Sequence, residues 1–241
     1  MTNCKAENNI KNNIILSIYQ RLFKKYGPQG WWPLLDESSE KTLFCRYHPK
    51  DYSIPKNNNQ RFEIIVGSIL TQNTSWLQVE KALINLKKAN LLSPKAILNC
   101  NDSILKQAIR PAGYFNQKAE RLKTIANWFL NKKGIPTREE LLSIKGVGKE
   151  TADSILLYAY KIPSFVVDAY TKRMLKNLNL ICYEEKYDEI KELFEKNLPR
   201  DYKLYQEYHA LIVEHAKRFY RRTNNNNKDF LKEFIEKKYQ K

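Results

Sequence analysis

Two glycines followed by the start of a helix form the first feature suited to chemistry. Gly146 and Gly148 stand two residues apart, a spacing typical of a tight turn whose backbone comes close to a neighbour. A helix is predicted to open at Lys149, where backbone N–H groups without helical partners favour an anion. Lys145 adds a positive charge beside the first glycine. In a basic protein, the repeating anion that best fits this arrangement is DNA phosphate.

Asp168 offers a carboxylate at the point where an apolar stretch meets a helix. It follows Phe165-Val166-Val167 and precedes a helix predicted over residues 169–178. An ionised carboxylate beside a sugar stabilises the positive charge that develops as an N-glycosidic bond breaks, and it can orient or deprotonate water. The alternative is an ordinary N-cap, accepting hydrogen bonds from the next turn. The two interpretations are compatible, because a cap would fix the carboxylate at the helix start.

Composition and charge indicate a globular protein with a polyanionic partner. Lysine and arginine number 42 against 26 acidic residues, giving a formal net charge of +16, and 42% of the residues are hydrophobic. This surplus predicts nucleic-acid binding, although a solvated lysine-rich surface is the alternative. No apolar run approaches the roughly 18 residues of a membrane span, and residues 1–13 are too polar for a secretory signal. We expect a monomer in the cytoplasm, associated with the nucleoid in a prokaryote, without membrane contact.

The cysteines and histidines do not form a recognisable metal-binding pattern. His209 and His215 are six residues apart, which is a poor spacing for one face of a helix, so no zinc site is expected. No two cysteines have the spacing of metal ligands, and disulfides are not expected in a cytosolic protein. The four cysteines are Cys4, Cys45, Cys100 and Cys182.

Apolar residues recur at helical spacing along most of the chain, which predicts an all-α fold. We find no convincing β-strand and no internal repeat, and we expect residues 36–60 to be an irregular surface excursion. An asparagine run lies in the basic C-terminal segment. Besides the two helices that flank the hairpin, helices are predicted over residues 14–26, 61–71, 76–92, 94–108, 117–132, 169–178, 186–197 and 200–220, with a short one from about Asp229.

The hairpin, the helix after it and the aspartate together resemble the helix-hairpin-helix of the endonuclease III superfamily of DNA glycosylases. That family has a Leu-Pro-Gly-Val-Gly hairpin, a helix, and then an apolar pair with an aspartate. Gly146-Val147-Gly148, Thr151-Ala152 and Val166-Val167-Asp168 stand at the family's spacing here, with Lys145 in place of the proline. The resemblance implies two helical domains flanking a DNA-binding cleft. A central, six-helix-barrel-like domain would span residues 62–165, and residues 1–61 and 166–241 would form the other.

The resemblance is closest to the 3-methyladenine branch of the family. It rests on Trp31-Trp32-Pro33, Phe62-Glu63, Leu70-Thr71-Gln72-Asn73-Thr74 and the segment 110–119, and the motif match runs from about residue 30 to 220. It implies base excision repair of double-stranded DNA, with a damaged base flipped into an aromatic pocket that prefers a cationic ring. For the tryptophans and Phe62, core packing is the alternative. The residues expected at the pocket are Trp31, Trp32, Phe62 and Glu150.

The family pattern also implies a set of DNA contacts and a cation site. Gln72 would fill the gap left by the flipped base, although a helix cap is the simpler role for this junction. For the basic residues of the segment 110–118, the alternative is that they are merely solvated. Carbonyls of Leu142, Ile144 and Val147 would bind a sodium or potassium ion. The expected DNA contacts are Gln72, Asn73, Arg110, Asn116, Lys118, Lys145, Gly146, Gly148, Lys149 and Thr151.

Two departures from the family bear on cofactor and mechanism. Many relatives hold an iron–sulfur cluster with four clustered cysteines near the C-terminus, but no cysteine follows Cys182, so no cluster is expected. Members that also nick DNA carry a lysine where this chain has Glu150. We therefore expect a monofunctional glycosylase for alkylated purines. The alternatives are a glycosylase for oxidised or mismatched bases with lyase activity, and a helix-hairpin-helix DNA-binding protein without catalysis.

Overall fold

The computed structural model describes residues 7–36, 43–181, 185–220 and 229–239. Cys4, Cys182 and the asparagine run lie outside these ranges. The described chain is mostly helical with almost no sheet, which confirms the all-α prediction, and none of its helices is long and apolar enough to cross a membrane. The helices are α1 (Glu7–Tyr26), α2 (Asn58–Leu70), α3 (Trp76–Lys88), α4 (Pro94–Asn99), α5 (Asp102–Ile109), α6 (Phe115–Asn131), α7 (Arg138–Leu142), α8 (Lys149–Ser154), α9 (Ala169–Asn177), α10 (Tyr187–Asn197), α11 (Tyr202–Phe219) and α12 (Phe230–Tyr239).

Several helix ends follow from capping side chains. The sequence predicted one helix over residues 94–108, but the structure has two, because the Asn101 side chain accepts from the Ser103 N–H at 2.9 Å and starts α5. Ser93 caps α4, with Pro94 in its first turn. The helix predicted from about Asp229 is confirmed as α12.

The chain divides into two units, Met1–Trp31 with Pro163–Lys241 and Trp32–Ile162. In the first, which we call the terminal unit, α11 packs against α1 and α9. Its core contains the Phe165 ring stacked on that of Phe194, with centroids 4.0 Å apart, and Tyr208 edge-on to both. The second, which we call the central unit, surrounds α2, where every residue from position 62 to 70 is buried.

Residues 32–61 belong to the central unit, whereas the sequence assigned them to the other domain. Glu63 explains part of this placement, because its buried carboxylate accepts from the Leu35 N–H at 2.7 Å. Glu80 likewise accepts from the Cys45 N–H at 2.8 Å. The two segments so held form a short antiparallel pair, β1 (Leu34–Leu35) and β2 (Cys45–Arg46), where no strand was predicted. Strands of two residues are too short to show an alternating pattern.

A buried polar cluster in the terminal unit joins α1, α11 and the segment before α12. His215 is fully buried, and its Nδ1 lies 3.0 Å from the Tyr26 hydroxyl. Its Nε2 lies 3.2 Å from Asp229 Oδ1, and the Tyr220 hydroxyl donates to the same carboxylate. Burial alone would raise the pKa of Asp229, but hydrogen bonds from His215 and Tyr220 outweigh it and hold the pKa below its usual value.

Candidate functional site

The hairpin between α7 and α8 lies in the central unit and has the tight turn that the two glycines predicted. Helix α7 ends at Leu142, and the Val147 N–H donates to the Ile144 carbonyl at 3.0 Å to close the turn. Gly146 has a φ of +89°, a left-handed conformation that favours glycine. Gly148 is extended and forms the N-cap of α8 without a side chain over the first-turn N–H groups. The hairpin therefore has the tight turn and the uncapped helix start on which the anion site depends, and the anion site itself stays a prediction.

The two helices of the hairpin are tied together by an ion pair whose carboxylate is buried. Arg138 opens α7, and Asp153 lies near the end of α8. The guanidinium Nε and Nη2 of Arg138 donate to the two carboxylate oxygens of Asp153 at 2.9 and 3.0 Å. The Asp153 side chain is fully buried. This fork-like pair fixes the angle at which α8 leaves the turn.

Gln72, the residue expected to fill the gap in the duplex, lies against the hairpin in this structure. Its side-chain amide donates to the Gly146 carbonyl at 2.9 Å and to the Thr151 hydroxyl at 3.0 Å. Arg121 donates to the amide oxygen of Gln72. The Thr151 side chain is buried beneath these contacts, and the expected part of Thr151 in the anion site, through the backbone at the start of α8, stays a prediction. The neighbouring Asn73 is exposed, with a left-handed φ of +53°.

Arg121 is a functional candidate that sequence reasoning missed. A Cβ atom added to Gly146 would lie 2.6 Å from Cγ of Arg121, so the arginine side chain covers this glycine closely. The same side chain holds Gln72 through its guanidinium. Its place one turn after Lys118 was the available signal, but arginine on a helix surface is usually solvated.

Lys118 does not contact phosphate, in contrast to the prediction. It is 1% exposed, and its ammonium donates to the carbonyls of Leu70 and Ala112 at 2.9 and 2.8 Å. Burial, followed by repulsion from Arg121, lowers the pKa of Lys118 to about 8. Its role is to satisfy two buried carbonyls, one at the end of α2 and one in the turn before α6.

The rest of the predicted DNA-contact set lies at the surface of the central unit. Lys145 and Lys149 are exposed on either side of the hairpin turn, and Glu150 is exposed in the first turn of α8. Arg110 and Asn116 are exposed around the start of α6. Between these two lies an aromatic side chain that the sequence reasoning did not select: Tyr114, 60% exposed with a φ of +48°.

Two of the predicted pocket aromatics are packing residues of the central unit. Phe62 is 1% exposed, and its ring centroid lies 5.2 Å from that of Phe129. Trp32 is 7% exposed and packs edge-on against Trp76, over the bare backbone of Gly67. Phe62 and Trp32 therefore pack in this structure as the alternative expected, and their assignment to the base pocket stays a prediction. Trp31 is half-buried in the terminal unit and stays a candidate.

Asp168, in the terminal unit, caps α9 as the sequence predicted. Its backbone is extended, and its Oδ1 accepts from the Thr171 N–H at 2.7 Å and the Thr171 hydroxyl at 2.9 Å. Its Oδ2 lies 3.5 Å from Nε2 of His209 on α11. The carboxylate is largely buried, with 14% of the side chain exposed.

The surroundings of Asp168 favour its ionised form. Burial on its own would raise the pKa of this carboxyl. The His209 interaction and the two hydrogen bonds from Thr171 outweigh burial, so the pKa of Asp168 lies below its ordinary value. Asp168 is therefore an anion at neutral pH, which is the state required to stabilise a developing cation or to orient water.

The described residues contain no group of three or more histidine, cysteine or acidic side chains placed to hold a metal ion. Cys45 is buried in the central unit, and Cys100 is partly exposed. The four cysteines of the sequence are widely spaced, unlike the clustered set of an iron–sulfur site, and the expectation that no cluster is bound stays a prediction.

Comparison with known proteins gives consistent matches. The family described as "HhH-GPD superfamily base excision DNA repair protein" matches residues 66–200. Over 224 residues the chain is 48% identical to the Methanocaldococcus jannaschii protein named "Putative DNA repair glycosylase MJ1434", covering 88% of this chain and 91% of that relative.

Solved structures extend the match to the fold. The H. pylori 3-methyladenine DNA glycosylase MagIII, bound to 1,N6-ethenoadenine, superposes with a TM-score of 0.66 at 31% identity. That alignment covers 86% of this chain and 97% of the other. A non-covalent endonuclease III–DNA complex superposes with a TM-score of 0.70 at 17% identity, a likeness that shows the fold alone.

Proposed function

Since the chain belongs to the HhH-GPD superfamily of base excision DNA repair proteins, and is a DNA N-glycosylase, we propose that it hydrolyses alkylated purines such as 3-methyladenine from double-stranded DNA. The observation that carries this proposal is Asp168, an ionised carboxylate fixed at the start of α9. The 31% identity to the H. pylori 3-methyladenine glycosylase supports the substrate class. The family match favours an enzyme over a non-catalytic binding module.

In the proposed reaction, Asp168 acts on the sugar. Breaking the N-glycosidic bond leaves positive charge on the deoxyribose, and a nearby carboxylate stabilises that charge. The same anion orients the attacking water and accepts a proton from it. A purine in DNA that is alkylated at ring nitrogen N3 or N7 is already cationic and leaves readily as a neutral base. The enzyme therefore needs the carboxylate and a stacking partner for the cation, for which Trp31 is the most exposed of the predicted pocket aromatics.

Glu150 supports the absence of a lyase step. A lyase needs an amine that attacks the sugar and forms a Schiff base. Glu150 occupies the position where relatives with this activity carry lysine, and it is exposed in the first turn of α8. Lys149 is adjacent, but one helical step rotates a side chain by about 100°. We assign Lys149 to DNA phosphate, and we propose that water is the nucleophile and that an abasic site is the product.

The test is release of free base from methylated duplex DNA, with borohydride trapping in parallel. We expect free 3-methyladenine, an unbroken abasic strand, and no covalent adduct, because no lysine occupies the position of Glu150. A trapped adduct would overturn hydrolysis by water. No release from methylated DNA, with release from oxidised or mismatched substrates, would overturn the substrate class and leave the glycosylase assignment in place.

The hairpin lysines should control DNA affinity through phosphate contacts. Replacing both Lys145 and Lys149 by alanine is expected to weaken binding to all duplexes about equally, because both side chains are exposed beside the turn. The slope of log affinity against log salt should fall by about 1 for each lysine. Fluorescence anisotropy across a salt series measures this slope.

Lys81 and Lys88 on α3 provide a matched control for this double change. Both are exposed, and their replacement by alanine removes the same charge from a different helix of the central unit. If the two double variants reduced the slope equally, the hairpin would be only one part of a diffuse basic surface.

We also propose that the carbonyls of Leu142, Ile144 and Val147 bind a sodium or potassium ion that bridges to phosphate.

A further inference from the structure

The buried pair of Asp168 and His209 indicates a role that the sequence did not suggest. Forty-one positions separate the two residues, and sequence reasoning treated His209 only as a poor zinc ligand. The packing of α9 against α11 brings Nε2 of His209 to within 3.5 Å of Asp168 Oδ2. Both side chains are largely buried, with 9% of the histidine and 14% of the aspartate side chain exposed.

The two oxygens of Asp168 have separate surroundings. Oδ1 accepts both hydrogen bonds from Thr171, so it is committed to the cap of α9. Oδ2 takes no part in that cap and faces His209. Given the hydrolysis proposed above, on which this inference rests, we propose that His209 is a positioning residue that keeps Asp168 Oδ2 ionised and oriented for the sugar and water.

His209 is the titratable group that acts on the carboxylate. Thr171, on α9 itself, is uncharged and contributes hydrogen bonds. Glu207 stands two residues before His209 on α11. It is buried and accepts from the Gln29 N–H at 2.6 Å. It therefore serves the segment after α1, whereas His209 and Thr171 are the groups that lower the pKa of Asp168. The histidine thus opposes the effect of burial, which alone would raise the pKa of Asp168.

Because DNA is a polyanion, Asp168 needs a partner such as His209 that favours its ionised form. Phosphates that approach Asp168 disfavour a further negative charge, so bound DNA pushes the carboxyl towards its neutral form. A protonated acid neither stabilises a sugar cation nor accepts a proton from water. An imidazole held beside Oδ2 offsets this effect and also restricts rotation of the carboxylate.

The test compares His209→Ala and His209→Gln with wild type in single-turnover base release across a pH series. We expect His209→Ala to lower the rate constant by about 10- to 100-fold, as a misplaced catalytic group does, with DNA affinity unchanged. The acid limb of its pH profile should move to higher pH, because Asp168 loses the partner that favours its charge. Glutamine retains an N–H donor, so His209→Gln should recover much of the rate.

His215→Ala is the matched control. This histidine lies on the same helix and is fully buried, but it contacts Tyr26 and Asp229 instead of Asp168. We expect it to lower the melting temperature without moving the acid limb. If His209→Ala fails to fold, the pH profile of His209→Gln provides the test instead. Glutamine carries no positive charge, so the acid limb of this variant should still lie at higher pH than that of wild type.

The possible results separate this inference from the proposed function. A wild type that is inactive on every lesion would overturn the function and the positioning role with it. An active wild type whose His209→Ala variant keeps the same rate and acid limb would overturn the positioning role alone. The positioning role would also be overturned if His209→Ala lost rate without a shift of the acid limb and His209→Gln did not recover the rate. His209 would then be a packing residue. Carboxyl carbon NMR of Asp168 tests the coupling without turnover, since its pKa should rise in His209→Ala.

Discussion

Replacing Asp168 by asparagine is expected to lower the rate of base release by about 100- to 10,000-fold, the usual contribution of a general base. Asparagine presents the same shape but carries no charge, so it neither stabilises the sugar cation nor accepts a proton from water. It still caps a helix, and its side-chain oxygen can accept the hydrogen bonds that Thr171 now donates to Asp168. The fold should therefore survive a change that removes the chemistry.

Single-turnover release of 3-methyladenine and the melting temperature should be measured on the same preparations. Asp201→Asn is a close control, because Asp201 caps α11 through the Lys203 N–H at 2.9 Å and is exposed. We expect the control to keep wild-type activity, since it makes the same chemical change at another N-cap of the terminal unit. Equal release by wild type and Asp168→Asn would mean that Asp168 is only a cap.

The parts of this site that sequence reasoning predicted follow from local rules. Gly146 adopts the left-handed conformation that its place in a tight turn required, and Asp168 caps the helix that begins after it. Such features depend on a few neighbouring residues, so their positions can be read from the chain. The helices follow for the same reason, because each has an apolar stripe.

Side-chain burial was harder to predict, because it depends on distant parts of the chain. Lys118, Lys145 and Lys149 all stand beside turns in the sequence, and all were assigned to phosphate. The fold places two unpaired carbonyls, from Leu70 and Ala112, around Lys118 and leaves the other two lysines in solvent. Phe62 shows the same problem for aromatics, since stacking on a base and packing in a core require the same side chain.

The contacts that connect functional side chains were also beyond local reasoning. Arg121 meets Gln72 across 49 positions, and His209 meets Asp168 across 41. Neither basic residue belongs to a sequence motif that would indicate a function, so Arg121 was passed over and His209 was treated as isolated. Their roles depend on the packing of α9 against α11 and of α2 against α6. A pattern within one helix does not contain this information.

Replacing Arg138 by alanine is expected to lower the free energy of unfolding of the central unit by about 3–5 kcal/mol. The change leaves the carboxylate of Asp153 buried without the guanidinium that pairs with both of its oxygens. A buried charge that loses such a partner costs far more than an exposed one, because no water takes the place of the guanidinium. The hairpin should also lose its fixed angle, so DNA affinity should fall with stability.

Urea unfolding, followed by the fluorescence of tryptophans in the central unit, measures this loss. Lys56→Ala is the control for an exposed pair, since Lys56 and Asp51 lie 3.7 Å apart with 60% and 42% of their side chains exposed, and its cost should be about 0–1 kcal/mol. Converting both partners to apolar residues, Arg138→Met with Asp153→Leu, should recover much of the stability. That double variant should still bind DNA weakly if the fork-like pair sets the hairpin angle. A single variant as stable as Lys56→Ala would show that the Arg138–Asp153 pair contributes little to stability, and it would remove the ion pair as the element that fixes α8 against α7.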